Sequence, residues 1–196
     1  MPRDLYKNLY DAEWTRRDQL QSAVGTPLTA ITLLGSALVV LSGNWNTAAL
    51  VWPLVFRAAL LGAGATFAIA VYKLVRSYHN YVYERIPFSS QLHTYESDLR
   101  QYYAATAGNP DLAGVEFEAE LERRYILAAD VNSQNNIRRG EYLHQANWAI
   151  VWAVVFTATA AVPLALTLKD RTPNAAQIEI TNLRELATPL RFPTGG

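Results

Sequence analysis

Cysteine is absent from the chain, which excludes both a disulfide framework and a thiolate metal site. Histidine is scarce, and His79, His93 and His144 are scattered. One pair, Glu141-x-x-His144, has the i, i+3 spacing of a carboxylate–histidine half-site. A di-metal bundle needs a second such pair and further carboxylates, so no metal is expected. Glu116, Glu118, Glu120 and Glu122 alternate along the chain, which spreads them around a helix instead of converging them. Glycine-rich phosphate loops, nucleophile elbows and Rossmann fingerprints are also missing. These absences argue against an enzyme and against a bound cofactor, and no nucleic-acid partner is expected.

Charge is missing from long stretches. Leu28–Pro53 holds no ionisable side chain, and none lies between Asn147 and Lys169. The run 147–169, NWAIVWAVVFTATAAVPLALTLK, is long enough to cross a hydrocarbon layer, which takes about 20 helical residues. Pro27–Gly43 and Leu50–Leu74 repeat the signal as a pair. Mean hydropathy near zero therefore averages a lipid-soluble part with the Arg-, Glu- and Tyr-rich stretch Lys73–Asn147. The sequence reads as an all-α integral membrane protein with three transmembrane helices and a cytoplasmic helical stalk. With 196 residues there is room for three spans and one modest soluble module, not for a separate catalytic domain. The expected organisation is an amphipathic cytoplasmic segment over 1–25, a transmembrane hairpin over 26–74, a Tyr-rich cytoplasmic region over 75–146, a third span over 147–169 and a flexible tail over 170–196.

Thr26-Pro27 has the form of an N-cap followed by proline at the first helical position. The 44–50 turn carries no Lys or Arg. The residues before the first span carry Arg3, Lys7, Arg16 and Arg17, and the middle segment carries eight more, from Lys73 to Arg139. The positive-inside rule then places the N-terminus and the middle segment in the cytoplasm of an inner (plasma) membrane, multi-pass, with the tail outside. The first 24 residues mix charges of both signs, so no secretory signal peptide is expected. Trp45 and Trp52 flank the outer turn and Trp148 and Trp152 the inner entry of the third span, as headgroup anchors would. Trp14 falls in the amphipathic N-terminal segment, where a surface-lying role is expected.

Small residues recur at every fourth position: Ala58, Gly62, Thr66 and Ala70 in the second span, and Ala149, Ala153, Thr157, Ala161 and Ala165 in the third. Such stripes let helices approach closely, within one chain or between copies in a homo-oligomer. Pro163, inside the third span, is a candidate hinge or a static kink. Arg57 is the only charge within an apolar run, about 10 Å inside the boundary if the span starts at Leu50. It either marks a conduction pathway or snorkels to the headgroups. No carboxylate at mid-depth exists to pair with it, which argues against a proton relay.

Nine of the eleven tyrosines fall between Tyr72 and Tyr142. The second span is expected to run on as helix through His79 and Val82 until Ile86-Pro87 stops it. A new helix from Ser89 or Ser90 ends at Gly108-Asn109-Pro110. A last one, from about Ala113, can run continuously into the third span, with Gly140 its weak point. Within it, Asn132, Asn136 and Arg139 share a face by i, i+4, i+7 spacing. They are candidates to bind an anionic ligand or line a vestibule, to cap and cross-link the neighbouring Tyr-rich helix by hydrogen bonds, or simply to face water. Arg123-Arg124 and Arg138-Arg139 either hold a nucleotide phosphate or form a basic collar against lipid headgroups.

The order of parts is YDAEWTRRDQL, a tight hairpin, YVYERIP, and then YILAADVNSQNNIRRGEYLHQAN before another span. Over residues 6–168 it resembles the SLATT-like group of bacterial membrane proteins, two-span effectors linked to nucleotide-signalled antiphage systems, with a third span added. The resemblance implies oligomerisation and breach of the inner membrane when a partner senses infection. The leading expectation is thus an oligomeric, pore-forming or membrane-disrupting effector, with the lipid bilayer, further copies, and a cytoplasmic signalling protein or nucleotide as partners. The competing expectation is a non-enzymatic scaffold or accessory subunit that docks a soluble partner through its cytoplasmic helices.

Overall fold

A computed structural model describes residues 2–45, 52–109 and 111–170, with the side chains of 2, 3 and 167–170 left aside. Every element among them is helical: α1 (Pro2–Ala23), α2 (Gly25–Gly43), α3 (Pro53–Tyr78), α4 (Ser89–Thr106) and α5 (Leu112–Asp170). The expected tail over 170–196 and most of the 44–50 turn lie outside the described residues.

Three of the helices are long and apolar enough to cross a membrane: α1 with α2 as one rod, α3, and α5. α1 and α2 meet at Val24 with a single turn residue, and the Leu28 N–H reaches the Val24 carbonyl at 3.1 Å across it. Thr26 therefore does not cap a new helix. Pro27 is buried in the first turn of α2, where its missing N–H costs nothing. Several hydroxyls in the apolar stretches return to their own helix, whereas Thr157 Oγ1 is buried without a partner among the described residues. Thr66 Oγ1 donates at 2.8 Å to the Gly62 carbonyl, and Thr32 and Ser36 bond the carbonyls four residues back.

α5 is 59 residues long without interruption, about 90 Å at helical rise. Gly140 does not break it, because Leu20 of α1 packs 3.9 Å from where a Cβ would stand and braces that turn. Pro163 lies buried inside it. The apolar half of α5 packs against α3 and α2 in three successive layers. Leu41, Phe56, Ala59, Leu60, Ala160 and Leu164 form the layer nearest the α2–α3 turn. Leu34, Ala70, Ala149, Ile150 and Ala153 form the middle one, and Leu74, Leu143 and Ala146 with Leu20 and Val24 the last. Gly62 permits the closest approach, since a Cβ there would stand 3.1 Å from the Phe156 ring.

The packed face differs from a strict four-residue stripe. Ala70 and Ala153 are buried and Gly62, Thr66 and Thr157 partly so, but Ala58, Ala161 and Ala165 are exposed. At 3.6 residues per turn each step of four drifts by about 40°. The inner face of α5 therefore runs Ala146, Ala149, Ala153, Thr157, Ala160, Leu164, mixing steps of three and four.

Two further departures concern the polar half. α3 stops at Tyr78; His79 is extended, Asn80 adopts a left-handed φ of 74°, and 81–88 contains no helix. Pro87 does not set that boundary. Asparagine tolerates the left-handed conformation, and the chain leaves the helix because its backbone finds partners on α5. α1 is not a separate surface-lying helix either, but packs along the polar half of α5. Trp14 is wedged between Tyr10 and Tyr83, with the guanidinium of Arg17 4.7 Å and that of Arg85 5.6 Å from its ring.

Candidate functional site: the polar junction

An extended backbone has no internal partners for its N–H and C=O groups, so the segment 79–88 must find them elsewhere. α5 supplies them. Asn132 Oδ1 accepts the Glu84 N–H at 2.9 Å, and its Nδ2 donates to the Glu84 carbonyl at 3.1 Å. One turn on, Asn136 Oδ1 accepts the Tyr83 hydroxyl at 2.6 Å. Its Nδ2 donates to the Glu13 carbonyl at 2.8 Å and to Glu13 Oε2 at 2.9 Å. Asn135 Nδ2 reaches the Val82 carbonyl at 2.7 Å. Asn132 and Asn136 are fully buried.

Arg139 completes the row at 6% exposure. Its Nε donates to the Ser77 carbonyl at 3.0 Å and its Nη1 to the Tyr83 hydroxyl at 2.9 Å. Ser77 stands in the last turn of α3, so the cation meets the negative end of that helix. The rings of Tyr81 and Tyr83 lie 5.8 and 5.9 Å from the guanidinium carbon. The bonds run in one direction, Arg139 to Tyr83 to Asn136 to Glu13, with a cation at one end and a carboxylate at the other. Each link polarises the next in a weakly screened interior. The row thus ties α1, α3, the 79–88 link and α5 together.

Of the roles weighed for Asn132, Asn136 and Arg139, the geometry is that of the cross-link. Each bonds to distant parts of the chain, and none is among the residues lining the clefts described below. Glu13, Ser77 and Glu84 belong to the same network and carry no distinguishing local pattern in the sequence. All three contribute backbone atoms, and the Glu13 carboxylate is one charge among several on α1.

The other candidates fall elsewhere. Arg57 is exposed, with its guanidinium 5.4 Å from the Trp45 ring near the α2–α3 turn. Arg123 and Arg124 both pair with Glu120, the latter at 2.7 Å. The cleft beside them, about 420 Å³, also contains the Glu84 and Glu120 carboxylates. His144 accepts the Trp148 indole N–H at 3.1 Å. No group of three or more potential metal ligands occurs among the described residues. Burial pushes the Tyr81 phenol above its ordinary value, aided by neighbouring Tyr142 and opposed by Arg76 and Arg139, so it stays a protonated donor. No family model matches the chain, and neither does any curated protein or solved structure.

Proposed function

We propose that this protein is a membrane effector that assembles within an inner membrane and opens or disrupts it when its cytoplasmic arm is engaged. The observation that carries this reading is mechanical. α5 runs unbroken from the polar arm into an apolar stretch that can span a bilayer, and the Asn132–Arg139 row locks α1, α3 and the link onto it. A displacement of the arm is therefore delivered to three apolar helices together. Small residues on outward faces, Ala58, Ala161 and Ala165, leave room for a helix of a second copy to approach. The Lys and Arg distribution supports a cytoplasmic position for the arm.

The test uses the full chain reconstituted in liposomes. Oligomers with dye leak support the reading. A dispersed monomer and tight vesicles, with or without a candidate nucleotide, remove it.

A second reading, a scaffold that docks a soluble partner, is favoured by α4. None of its side chains is buried, and a cleft of about 210 Å³ lined by Pro87, Leu92, Tyr95, Phe117 and Leu121 opens between it and α5. One stoichiometric partner recovered by pull-down, with Arg57→Ala harmless, selects this reading.

A further inference from the structure

The 79–88 link leaves α3 across a polar cleft of about 320 Å³, lined by Arg76, His79, Asn80, Tyr81, Asn135, Arg138 and Tyr142. No carboxylate is among these residues. Arg76, in the last turn of α3, and Arg138, on α5, are both exposed and neither is paired with a carboxylate among the described residues. This sets them apart from Arg123 and Arg124, which both pair with Glu120. The Tyr142 ring lies beside Arg76 and Lys73. The Arg76 guanidinium carbon lies 5.6 Å from its ring and Lys73 Nζ 5.2 Å. Two guanidiniums line a hollow that has no carboxylate, and the hydroxyl, amide and imidazole groups beside them are neutral. The ligand that fits is an anion with several oxygens.

Position narrows the source. Tyr142 lies five residues before Asn147, where the charge-free run of α5 begins, about 8 Å along the helix. Trp148 is exposed one residue further on. If the apolar helices cross a bilayer, the cleft opens at headgroup depth on the arm side, where anionic lipid phosphates concentrate.

We propose that this cleft is a phosphate-binding site, with Arg76 and Arg138 as its principal ligands, filled by an anionic phospholipid headgroup or by the phosphate of a soluble compound. The lipid source rests on the membrane reading above; the phosphate chemistry rests on the lining alone.

The experiment uses full-length protein, purified in detergent and delipidated, with two probes. Nanodiscs of phosphatidylcholine with and without phosphatidylglycerol test the lipid source, and inorganic pyrophosphate tests the soluble one. Retained lipid is read by native mass spectrometry and pyrophosphate by calorimetry. Selective retention of phosphatidylglycerol assigns a headgroup, and saturable pyrophosphate binding assigns a soluble phosphate. Each arginine lost should weaken the active probe about tenfold or more, tested with Arg76→Gln and Arg138→Gln. The paired change Arg123→Gln with Arg124→Gln should leave it unaltered. His79→Glu, which places a carboxylate in the cleft without removing any ligand arginine, should weaken the probe as well and covers the case in which an arginine variant fails to fold. Neither probe binding to wild type, or binding that survives Arg138→Gln and His79→Glu in folded protein, overturns the proposal. Recovery of the chain from cells as a detergent-free dispersed species would end the membrane reading while leaving the pyrophosphate measurement decisive for the cleft.

Discussion

Asn132 and Glu84 form a two-point clamp: one side-chain amide both accepts the N–H and donates to the carbonyl of the same residue, at 2.9 and 3.1 Å. The carboxamide thus does what a neighbouring strand would do for an isolated extended segment. It satisfies the backbone of Glu84, six residues past the end of α3.

Replacing Asn132 by Ala should orphan both Glu84 backbone groups, whose bonds to the buried carboxamide are part-buried. The expected loss is about 1–3 kcal/mol of stability, read as a lowered unfolding midpoint in detergent. Asn135→Ala, at a more exposed position, should cost less. Equal effects would mean that the Asn132 clamp has no special weight.

The directional row from Arg139 to Glu13 predicts non-additivity. Tyr83→Phe and Asn136→Ala each break the shared hydrogen bond, so their combination should fall short of the sum by about 0.5–3 kcal/mol in a double-mutant cycle. Arg139→Lys should not rescue Arg139→Met fully. A single ammonium lacks the planar fork that serves the Ser77 carbonyl and the Tyr83 hydroxyl together.

Gly62 and Gly64 make a contrast within one helix. A side chain at Gly62 meets Phe156 at 3.1 Å, whereas Gly64 has nothing within 4 Å. Gly62→Leu should therefore cost about 1–3 kcal/mol by overpacking. Gly64→Ala should be neutral or stabilising by up to about 1 kcal/mol through helix propensity. Thermal unfolding of the two variants side by side decides it.

Arg57 tests the pathway idea directly. Because it is exposed and touches chiefly Trp45, Arg57→Ala should leave helix content and unfolding midpoint nearly unchanged. If it lines a pathway, the same variant alters the ion selectivity of liposome leak. Unchanged selectivity assigns it to the headgroup interface.

The α4–α5 contact carries a pH signature. Tyr103 is held above its ordinary value of 10.0, first by the hydrogen bond its hydroxyl donates to Glu116, then by burial, then by the Glu116 charge. A raised folded value means that the contribution is fully present below the unfolded value, near 10, and is lost as pH rises through the folded one. The Tyr103–Glu116 contribution to the α4–α5 contact should therefore weaken as pH rises past 10, read as a fall in unfolding midpoint that Tyr103→Phe makes smaller.

How much of this was legible depends on the residue. The charge-free runs at Leu28–Pro53 and Asn147–Lys169 announce apolar helices because hydropathy is a local sum, whereas the sequence left the continuity of α5 open at Gly140. The i, i+4, i+7 spacing put Asn132, Asn136 and Arg139 on one face. Their partners were hidden, since Glu13 lies 123 residues from Asn136 and Ser77 and Glu84 contribute backbone atoms that look alike in every residue. The end of α3 was misplaced for the same reason. Lys73–Val82 reads as helix by local pattern, and only long-range bonds from α5 make the extended course cheaper.

By itself the sequence determined which stretches are apolar, that they are helices, and that Lys and Arg crowd into one part of the chain. Those properties reside in runs of neighbouring residues and in the period of the helix. Only the tertiary structure decided which small residues face inward, where α3 stops, and that Arg76 and Arg138 share a hollow without an acid while Arg123 and Arg124 do not. Each of these depends on which distant backbone and side-chain groups are brought within bonding distance. A linear order of residues does not contain that information until the helices have packed.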